Sequence, residues 1–546
     1  MKKPYIAILA LMTAAAMSAQ GLNKEITIEK EIVPEQRAAT RLPVNHELIT
    51  PHVKASVPEF SSTGVNAEIT PGLTILDPAL TGDSLVPSPY RGYAAAGYFP
   101  SYNLGASAGY RFIDNDRTRL GARLQFDGVS YKTTQDNGEQ TLKDNALTLG
   151  VDLTQRVTDT GNLGVSLDFG YGKNSDEMES TMLDERSATR LRLSAGWKQT
   201  VSGVSYHIGA FGGLFNNSFG ADKEKYNQSS FGGSVGAAFR GFSLDLTAQM
   251  LNNSAGDTAK PGNTVNHGNP GITDNTDNPG MVSVNPAWSY TREGVSLRLG
   301  FNAGFSINSG KTFVPAPDVR IDLRPNSYLG IYMVADGGVT VNSMESVYAI
   351  SHFLQGDRYY GNSRVPLDVR TGVVIGPFRG ASLELFGGYA KADDWLMLCH
   401  TYLSPADVKA WHGGVRLRYS WREMVLFKGS FHTAQSSGEK VYYLWRDGAS
   451  TVVDLSAEVR PLKKLTLEAG WEYRTGRHSY DTQAGTIPQS LELGCVSNLR
   501  FGAAYRITDP LTVFARGENL LDRKWEISTD LPAQGISGLI GLSYKF

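Results

Sequence analysis

The stretch Ile536-Ser537-Gly538-Leu539-Ile540-Gly541-Leu542-Ser543-Tyr544-Lys545-Phe546 decides the fold. One set of alternate positions holds Ile536, Gly538, Ile540, Leu542, Tyr544 and Phe546; the other holds Ser537, Leu539, Gly541, Ser543 and Lys545. Successive side chains of a strand point to opposite faces, so one face is greasy and aromatic-tipped and the other small or polar. A half-greasy strand ending on Tyr544 and Phe546 reads as the closing stave of an outer-membrane β-barrel.

Working outward, the chain opens in a different style. Lys2 and Lys3, the apolar run Ile6 to Ala16 and the small residues around Ala19 read as a signal peptide over 1–19. No apolar run of ~18 residues follows, so no membrane helix is expected. The mean hydropathy is negative, which does not exclude a membrane barrel, because its strands place only alternate residues in lipid. Formal net charge is −2, so no nucleic-acid partner is expected. Cys399 and Cys495 are too few for a disulfide framework.

Residues 20–90 carry Pro34, Pro43, Pro51, Pro58, Pro71, Pro78, Pro87 and Pro89. Proline removes backbone donors and breaks helix and sheet, so this segment reads as an irregular periplasmic arm, threaded in part into the barrel. Its one strand-like piece is Glu25-Ile26-Thr27-Ile28-Glu29.

From 91 to 546 strand-length segments alternate between short and long connections. The short ones fall at 114–117, 158–162, 201–203, 240–241, 292–294, 324–327, 376–380, 421–423, 461–464 and 508–510. The longer, polar ones fall at 133–142, 174–187, 215–227, 253–282, 308–314, 339–365, 392–410, 434–450, 477–490 and 519–534. Short periplasmic turns alternating with long outer loops give an all-β, antiparallel transmembrane barrel of about 22 strands.

The strands carry lipid-facing and lumen-facing sets. Leu465, Leu467, Ala469, Trp471 and Tyr473 alternate with Thr466, Glu468, Gly470, Glu472 and Arg474. A charge on the lipid face costs ~2–4 kcal/mol at the midplane, and the charges keep to the other set. Trp411 and Trp421 lie ten positions apart on one face. At ~3.3 Å per residue and ~45° tilt they stand roughly 23 Å apart vertically, close to the ~25 Å apolar band. With Trp197, Trp288 and Trp471 they form the expected aromatic girdles. Arg298, Arg320, Arg416, Arg418, Asp454, Glu458, Glu468, Glu472, Arg516 and Glu518 are expected to line the lumen. Their mixed signs suggest ion-pair networks rather than a single-sign filter.

The run Asn498 to Arg506, then Leu511 to Glu526 with Asn519-Leu520-Leu521-Asp522, then the closing Gly541-Leu542-Ser543-Tyr544-Lys545-Phe546 resembles the end of a TonB-dependent receptor barrel, and the opening stretches Tyr90 to Tyr98 and Tyr102 to Gly105 resemble barrels of Bacteroidetes-type envelopes. The family's Asn-Leu-x-Asp motif is followed by Tyr-Glu; here Trp525 stands in for the tyrosine. The resemblance implies solute binding or transport across the outer membrane of a Gram-negative cell, in a multi-pass protein. It implies contact with outer-membrane lipid, insertion by the barrel assembly machinery, and engagement of TonB or other envelope proteins through the arm. Ile26, Thr27 and Ile28 resemble a TonB box, which pairs with a partner's sheet edge. The departure is at the front. The family carries a globular plug, and 20–90 is too short and proline-rich to bury such a core. Two alternatives stand beside transport: a structural or assembly platform in an outer-membrane complex, and a passive porin-like channel.

No enzyme and no cofactor are expected. His400, His412, His432 and His478 fall in or near the outer loops, without ligand or triad spacing, and read as solvated loop histidines. Asp274 to Gly280 offers alternate oxygens but lacks the downstream glutamate of a calcium loop, and no metal is assigned.

Overall fold

A computed structural model describes residues 90–546, apart from 101, 136–137, 179–183, 221–222, 256–277, 355–358, 400–401, 423, 437–448, 482–488 and 530. The signal peptide, nearly all of the 20–90 segment, and Ile26, Thr27 and Ile28 lie outside the described residues, as does His400.

In chain order the first strands are β1 Gly92–Phe99, β2 Asn103–Asp114, β3 Thr118–Gln135, β4 Gly138–Arg156 and β5 Gly161–Met178. Then come β6 Asp184–Val201, β7 Val204–Phe219, β8 Glu224–Phe239, β9 Phe242–Ala255 and β10 Gly280–Arg292. β11 Val295–Ile307, β12 Phe313–Asn326 and β13 Leu329–Thr340 lead to a short helix, α1 Met344–Ile350. β14 Ser363–Phe378, β15 Ala381–Cys399, β16 Tyr402–Trp421, β17 Val425–Ser436, β18 Thr451–Leu462 and β19 Leu465–Thr475 continue the wall. A small hairpin, β20 Arg477–Asp481 and β21 Gln489–Leu493, precedes β22 Val496–Arg506 and β23 Leu511–Glu518. Two fragments, β24 Glu526–Ser528 and β25 Leu531–Pro532, precede the final β26 Ser537–Lys545.

All but β20, β21, β24 and β25 join one 22-stranded sheet. Each strand pairs antiparallel with the next, and β26 pairs back onto β1, from Tyr93 opposite Lys545 to Tyr98 opposite Ile540. Closure removes both sheet edges. The fold expected from the sequence, a closed antiparallel barrel of 22 strands, is the one observed.

The short turns follow from local chemistry. Ser202-Gly203, Arg240-Gly241 and Arg379-Gly380 each take two successive positive φ values, the two-residue turn whose twist matches its flanking strands. The second position must be glycine: a Cβ on Gly380 would stand 2.0 Å from the carbonyl oxygen of Ser420. Asn115 builds another turn, its side-chain oxygen accepting from the amides of Arg117 (3.0 Å) and Thr118 (2.7 Å).

The two faces separate sharply along β26. Ile540, Leu542, Tyr544 and Phe546 are 58%, 54%, 49% and 50% exposed, whereas Leu539 between them is 2% exposed. Leu539 points inward and sits over Gly97 of β1 and Gly105 of β2.

Several connections expected to be loops are strand. The segments 133–142, 174–187, 215–227 and 392–410 largely extend the hairpins, with Gln135 opposite Gly138, Asp176 opposite Asp184, Phe219 opposite Glu224 and Cys399 opposite Tyr402. Ladder bonding does not need an apolar face. Beyond the apolar belt the outward face need no longer be greasy, so the strict alternation that marks a strand fades while the pairing goes on.

Candidate functional site

The charged residues expected to line the lumen are largely paired. Arg298 donates to Asp318 (2.8 Å) and Asn285 (3.1 Å). Arg416 donates to Glu384 (2.9 Å), which also accepts from Tyr332 (2.6 Å), and its guanidinium lies over the Phe386 ring. Glu458 pairs with Arg460 at 2.6 Å, Asp454 with Arg500 at 3.1 Å, and Glu472 with Arg474. Arg516 sits in the field of Glu518, Glu468 and Asp127. Arg418 is exposed, and the buried Nε of Arg320 has no hydrogen-bond partner among the described residues.

Of the tryptophans, Trp411 is 63% exposed and Trp421 43% exposed. Trp197, Trp288 and Trp471 are half-buried. Trp288 stacks on Tyr290, and Trp471 stacks on Tyr473 while donating to Ser497 at 3.1 Å.

In the connection from β13 to β14, residues 341–354 and 359–362 reach inward and dock on the inner faces of β4 to β9. Ser343 caps α1, its Oγ accepting from the amide of Ser346 at 3.0 Å. Met344, Tyr348 and Tyr359 pack with Ala188, Phe215 and Tyr226. These wall residues are inward-facing: Phe215 is 3% exposed, whereas its neighbour Leu214 is 52% exposed.

Polar groups on the wall take up the segment's main chain. The amide of Met344 donates to Gln228 (2.8 Å). Asn174 (2.7 Å) and Arg186 (3.0 Å) donate to the carbonyl of His352, and Arg186 also donates to that of Leu354. Nδ1 of His352 lies 2.8 Å and 3.0 Å from the Asp144 oxygens. Tyr359 donates to the carbonyl of Ser254 at 3.0 Å, and Asn362 to that of Gly280 at 2.7 Å. Burial pushes the Tyr359 phenol up to about 12 and raises that of Tyr348 as well.

A second connection, 519–536, folds in beside the first. Leu531 packs with Val129, Tyr131 and Leu142, with Phe353 and Ile527 against the same cluster. Tyr131 donates to the carbonyl of Pro532 at 2.8 Å. The Asn519-Leu520-Leu521-Asp522 motif shapes this connection. Asn519 is buried at positive φ; it donates to the carbonyls of Arg523 (2.9 Å) and Gln534 (3.1 Å) and accepts from the Arg523 amide (3.0 Å). Asp522 accepts from the Ile536 amide at 3.3 Å, fixing the entry into β26.

Between the first inward segment and the wall lies a cavity of about 290 Å³. Its polar lining includes Gln125, Asp127, Asp144, Arg190, Glu345 and His352, with Tyr348 projecting from α1. Among the described residues, no group of three His, Cys, Asp or Glu side chains is placed to hold a metal ion.

The histidines depart from expectation. His412 is 5% exposed and His478 is 9% exposed, so neither is a solvated loop residue. His412 lies within β16, and its ring fits over Gly388, whose Cβ would stand 2.6 Å from Nε2. It meets His432 edge to face at 5.8 Å. The residues that build the mouth, Asp144, Arg186, Tyr348, His352 and Asn519, were not singled out from the sequence as lining residues. Only Asn519 carried a signal, through its motif.

No family model matches the sequence, and a comparison with curated proteins finds no match. Solved structures do match. The siderophore receptor PirA from Acinetobacter baumannii aligns with a TM-score of 0.59 at 9% identity, over 84% of this chain and 80% of that one. A mutant of the ferric enterobactin receptor PfeA from Pseudomonas aeruginosa gives 0.61 at 11%, over 84% and 80%. The FrpB iron transporter from Neisseria meningitidis gives 0.62 at 10%, over 84% and 82%. The barrel has the fold of the TonB-dependent receptors. At these identities the likeness concerns the fold. Together with the exposed apolar belt and the closed ring of 22 strands, it implies an outer-membrane location.

Proposed function

We propose that this protein is a multi-pass outer-membrane barrel that binds a solute at its mouth and passes it inward. It is a relative of the TonB-dependent receptors in which the proline-rich 20–90 segment takes the place of a globular plug. The observation that carries this reading is the inward segment 341–354, held against β4 to β8 over a polar cavity of about 290 Å³. Binding sites are concave, largely pre-formed, and furnished with a few convergent polar groups. A structural stave needs none of these. The cargo named for the neighbouring structures does not carry over at 9–11% identity.

Lipid surrounds the belt, the barrel assembly machinery inserts the wall, and the arm reaches TonB or another envelope partner through Ile26, Thr27 and Ile28. Replacing Ile26 and Ile28 with proline tests the last point, since proline cannot join a partner's ladder. Loss of solute uptake by cells is expected, and unchanged uptake counts against an energised route.

The dense latching of the mouth favours a second reading, a closed platform for partner proteins. Deleting 20–89 separates the two: a co-purifying partner lost while uptake persists supports the platform. A passive porin-like channel is the least favoured, because two inward connections narrow the passage. A large, steady single-channel conductance would restore it.

A further inference from the structure

At its short-turn end the barrel has a cationic rim along one arc. The five successive turns that leave β8, β10, β12, β14 and β16 carry Arg240, Arg292, Arg324, Arg379 and Arg422. Against them those turns hold Glu293 and Glu423. None of the five guanidiniums pairs with a carboxylate or donates a hydrogen bond among the described residues. Main-chain bonds join each turn to the next. The Ser289 amide donates to the Gly241 carbonyl at 2.7 Å and the Arg324 amide to that of Gly294 at 2.6 Å. The Gly376 amide donates to the Tyr328 carbonyl at 2.8 Å and the Ser420 amide to that of Gly380 at 2.9 Å. The arginines therefore stand in one row. At ~4.8 Å per strand spacing the row runs roughly 40 Å along the rim.

Two further observations bear on this row. Arg240, Arg379 and Arg422 take φ values of 49°, 50° and 47°. That is the left-handed region, where glycine, asparagine or aspartate sits with least strain. The turn geometry alone does not select arginine. Each of the three also follows an exposed aromatic residue, Phe239, Phe378 or Trp421. The Arg240 guanidinium lies 4.9 Å from the Phe239 ring centroid, and that of Arg422 lies 5.4 Å from Trp421. Tyr328 stacks on Phe378 at 5.0 Å and continues the same girdle. Exposed aromatics at the end of an apolar wall sit at the level of lipid headgroups. Guanidiniums held against them stand at that level too, on the outer side of the wall.

We infer that this arc binds anionic glycerophospholipids of the leaflet at the turn end, which faces the periplasm in the function proposed above. A guanidinium donates two parallel N–H bonds to two oxygens of one phosphate. A zwitterionic headgroup brings its own ammonium, which competes for that phosphate; a headgroup with net negative charge does not. One arginine per turn along so long a rim suits many small headgroups side by side better than one compact acidic partner. The inference names a lipid chemistry for the membrane barrel proposed above and rests on that reading.

The test uses the full chain folded into phosphatidylcholine vesicles that hold a dibrominated phospholipid, whose bromines quench nearby tryptophans such as Trp288 and Trp421. Dibrominated phosphatidylglycerol should associate at least about fivefold more strongly than dibrominated phosphatidylcholine, the factor given by ~1 kcal/mol for one arginine near an anionic surface. Raising the salt to about 1 M should shrink the difference. Arg240→Asn, Arg379→Asn and Arg422→Asn combined should bring the ratio below about twofold. The urea unfolding midpoint should hold or rise, because asparagine suits positive φ. Equal association of the two lipids with the unchanged protein overturns the inference, as does a triple variant that keeps the preference. Displacement of phosphatidylglycerol by polyglutamate would assign the row to a soluble acidic partner and overturn it as well. Insertion is read from the gel shift of the unheated barrel. A chain that does not insert rejects the barrel reading and this inference with it, whereas insertion with solute passage but no lipid preference rejects this inference alone.

Discussion

Arg186 holds a stretch of main chain that approaches it from another part of the ring. Its guanidinium donates to the carbonyls of His352 and Leu354 in the connection after β13, while Nε donates to Asn217 on β7 at 2.7 Å. The side chain is almost fully buried. One guanidinium, with donors fanned in a plane, meets two carbonyls and an amide oxygen together. Lysine offers no such geometry.

Arg186→Gln should therefore free the inward segment without harming the wall. Each stranded carbonyl costs about 1–3 kcal/mol, so opening of 341–354 should rise tenfold or more. Chymotrypsin cleavage near Tyr348 and Phe353 reads this opening directly. The shift of the folded barrel on unheated gels should stay unchanged. An unaltered cleavage rate would show that Arg186 is not the latch.

The two faces of β26 should respond oppositely to the same charge. Ile540→Lys places an ammonium on the exposed apolar face and should cost ~2–4 kcal/mol near the midplane. Ser543→Lys, on the inner face, should cost less than ~1 kcal/mol, because lysine there reaches water. Urea unfolding midpoints in lipid vesicles compare the two. Equal losses would contradict the assignment of faces.

Leu539 should matter out of proportion to its size. Its Cγ would stand 2.7 Å from a Cβ on Gly97, so the leucine fills the space that glycine leaves. Leu539→Ala should destabilise by ~2–5 kcal/mol through the cavity it opens. Gly97→Ala should also destabilise, by crowding. Gly105→Ala, whose Cβ would stand 3.3 Å from Leu539, should be milder alone. Placed in the Leu539→Ala background it should recover part of the loss, as seen in the unfolding midpoint.

The ring itself was legible because lipid imposes a period of two. Ile540, Leu542 and Tyr544 alternate with Leu539, Gly541 and Ser543, and paired residues such as Ser202-Gly203 mark the turns. That signal ends where lipid ends. In 133–142 the lipid-imposed alternation has ended, so nothing in the residue order distinguishes a paired hairpin from an open loop. The mouth was less legible still. Arg186 reads as one more charge until His352 arrives from 166 residues away, and contacts of that kind leave no local pattern. α1 has only seven residues, too short for an amphipathic period to show. His412 was misread because it was counted with the neighbouring loop, although it follows Trp411 on a strand and its ring is buried.

The pairing of β1 with β26 has a kinetic consequence. Most other contacts in the wall join strands that follow one another along the chain, and each forms as soon as its second member is present. This one joins Tyr93 to Lys545, so it closes the largest possible loop and must come last. Until then β1 and β26 each present a row of unsatisfied amides and carbonyls, the template on which chains aggregate. An unfinished cylinder is thus a sticky open ribbon, and safe assembly requires that its two borders be shielded until they meet.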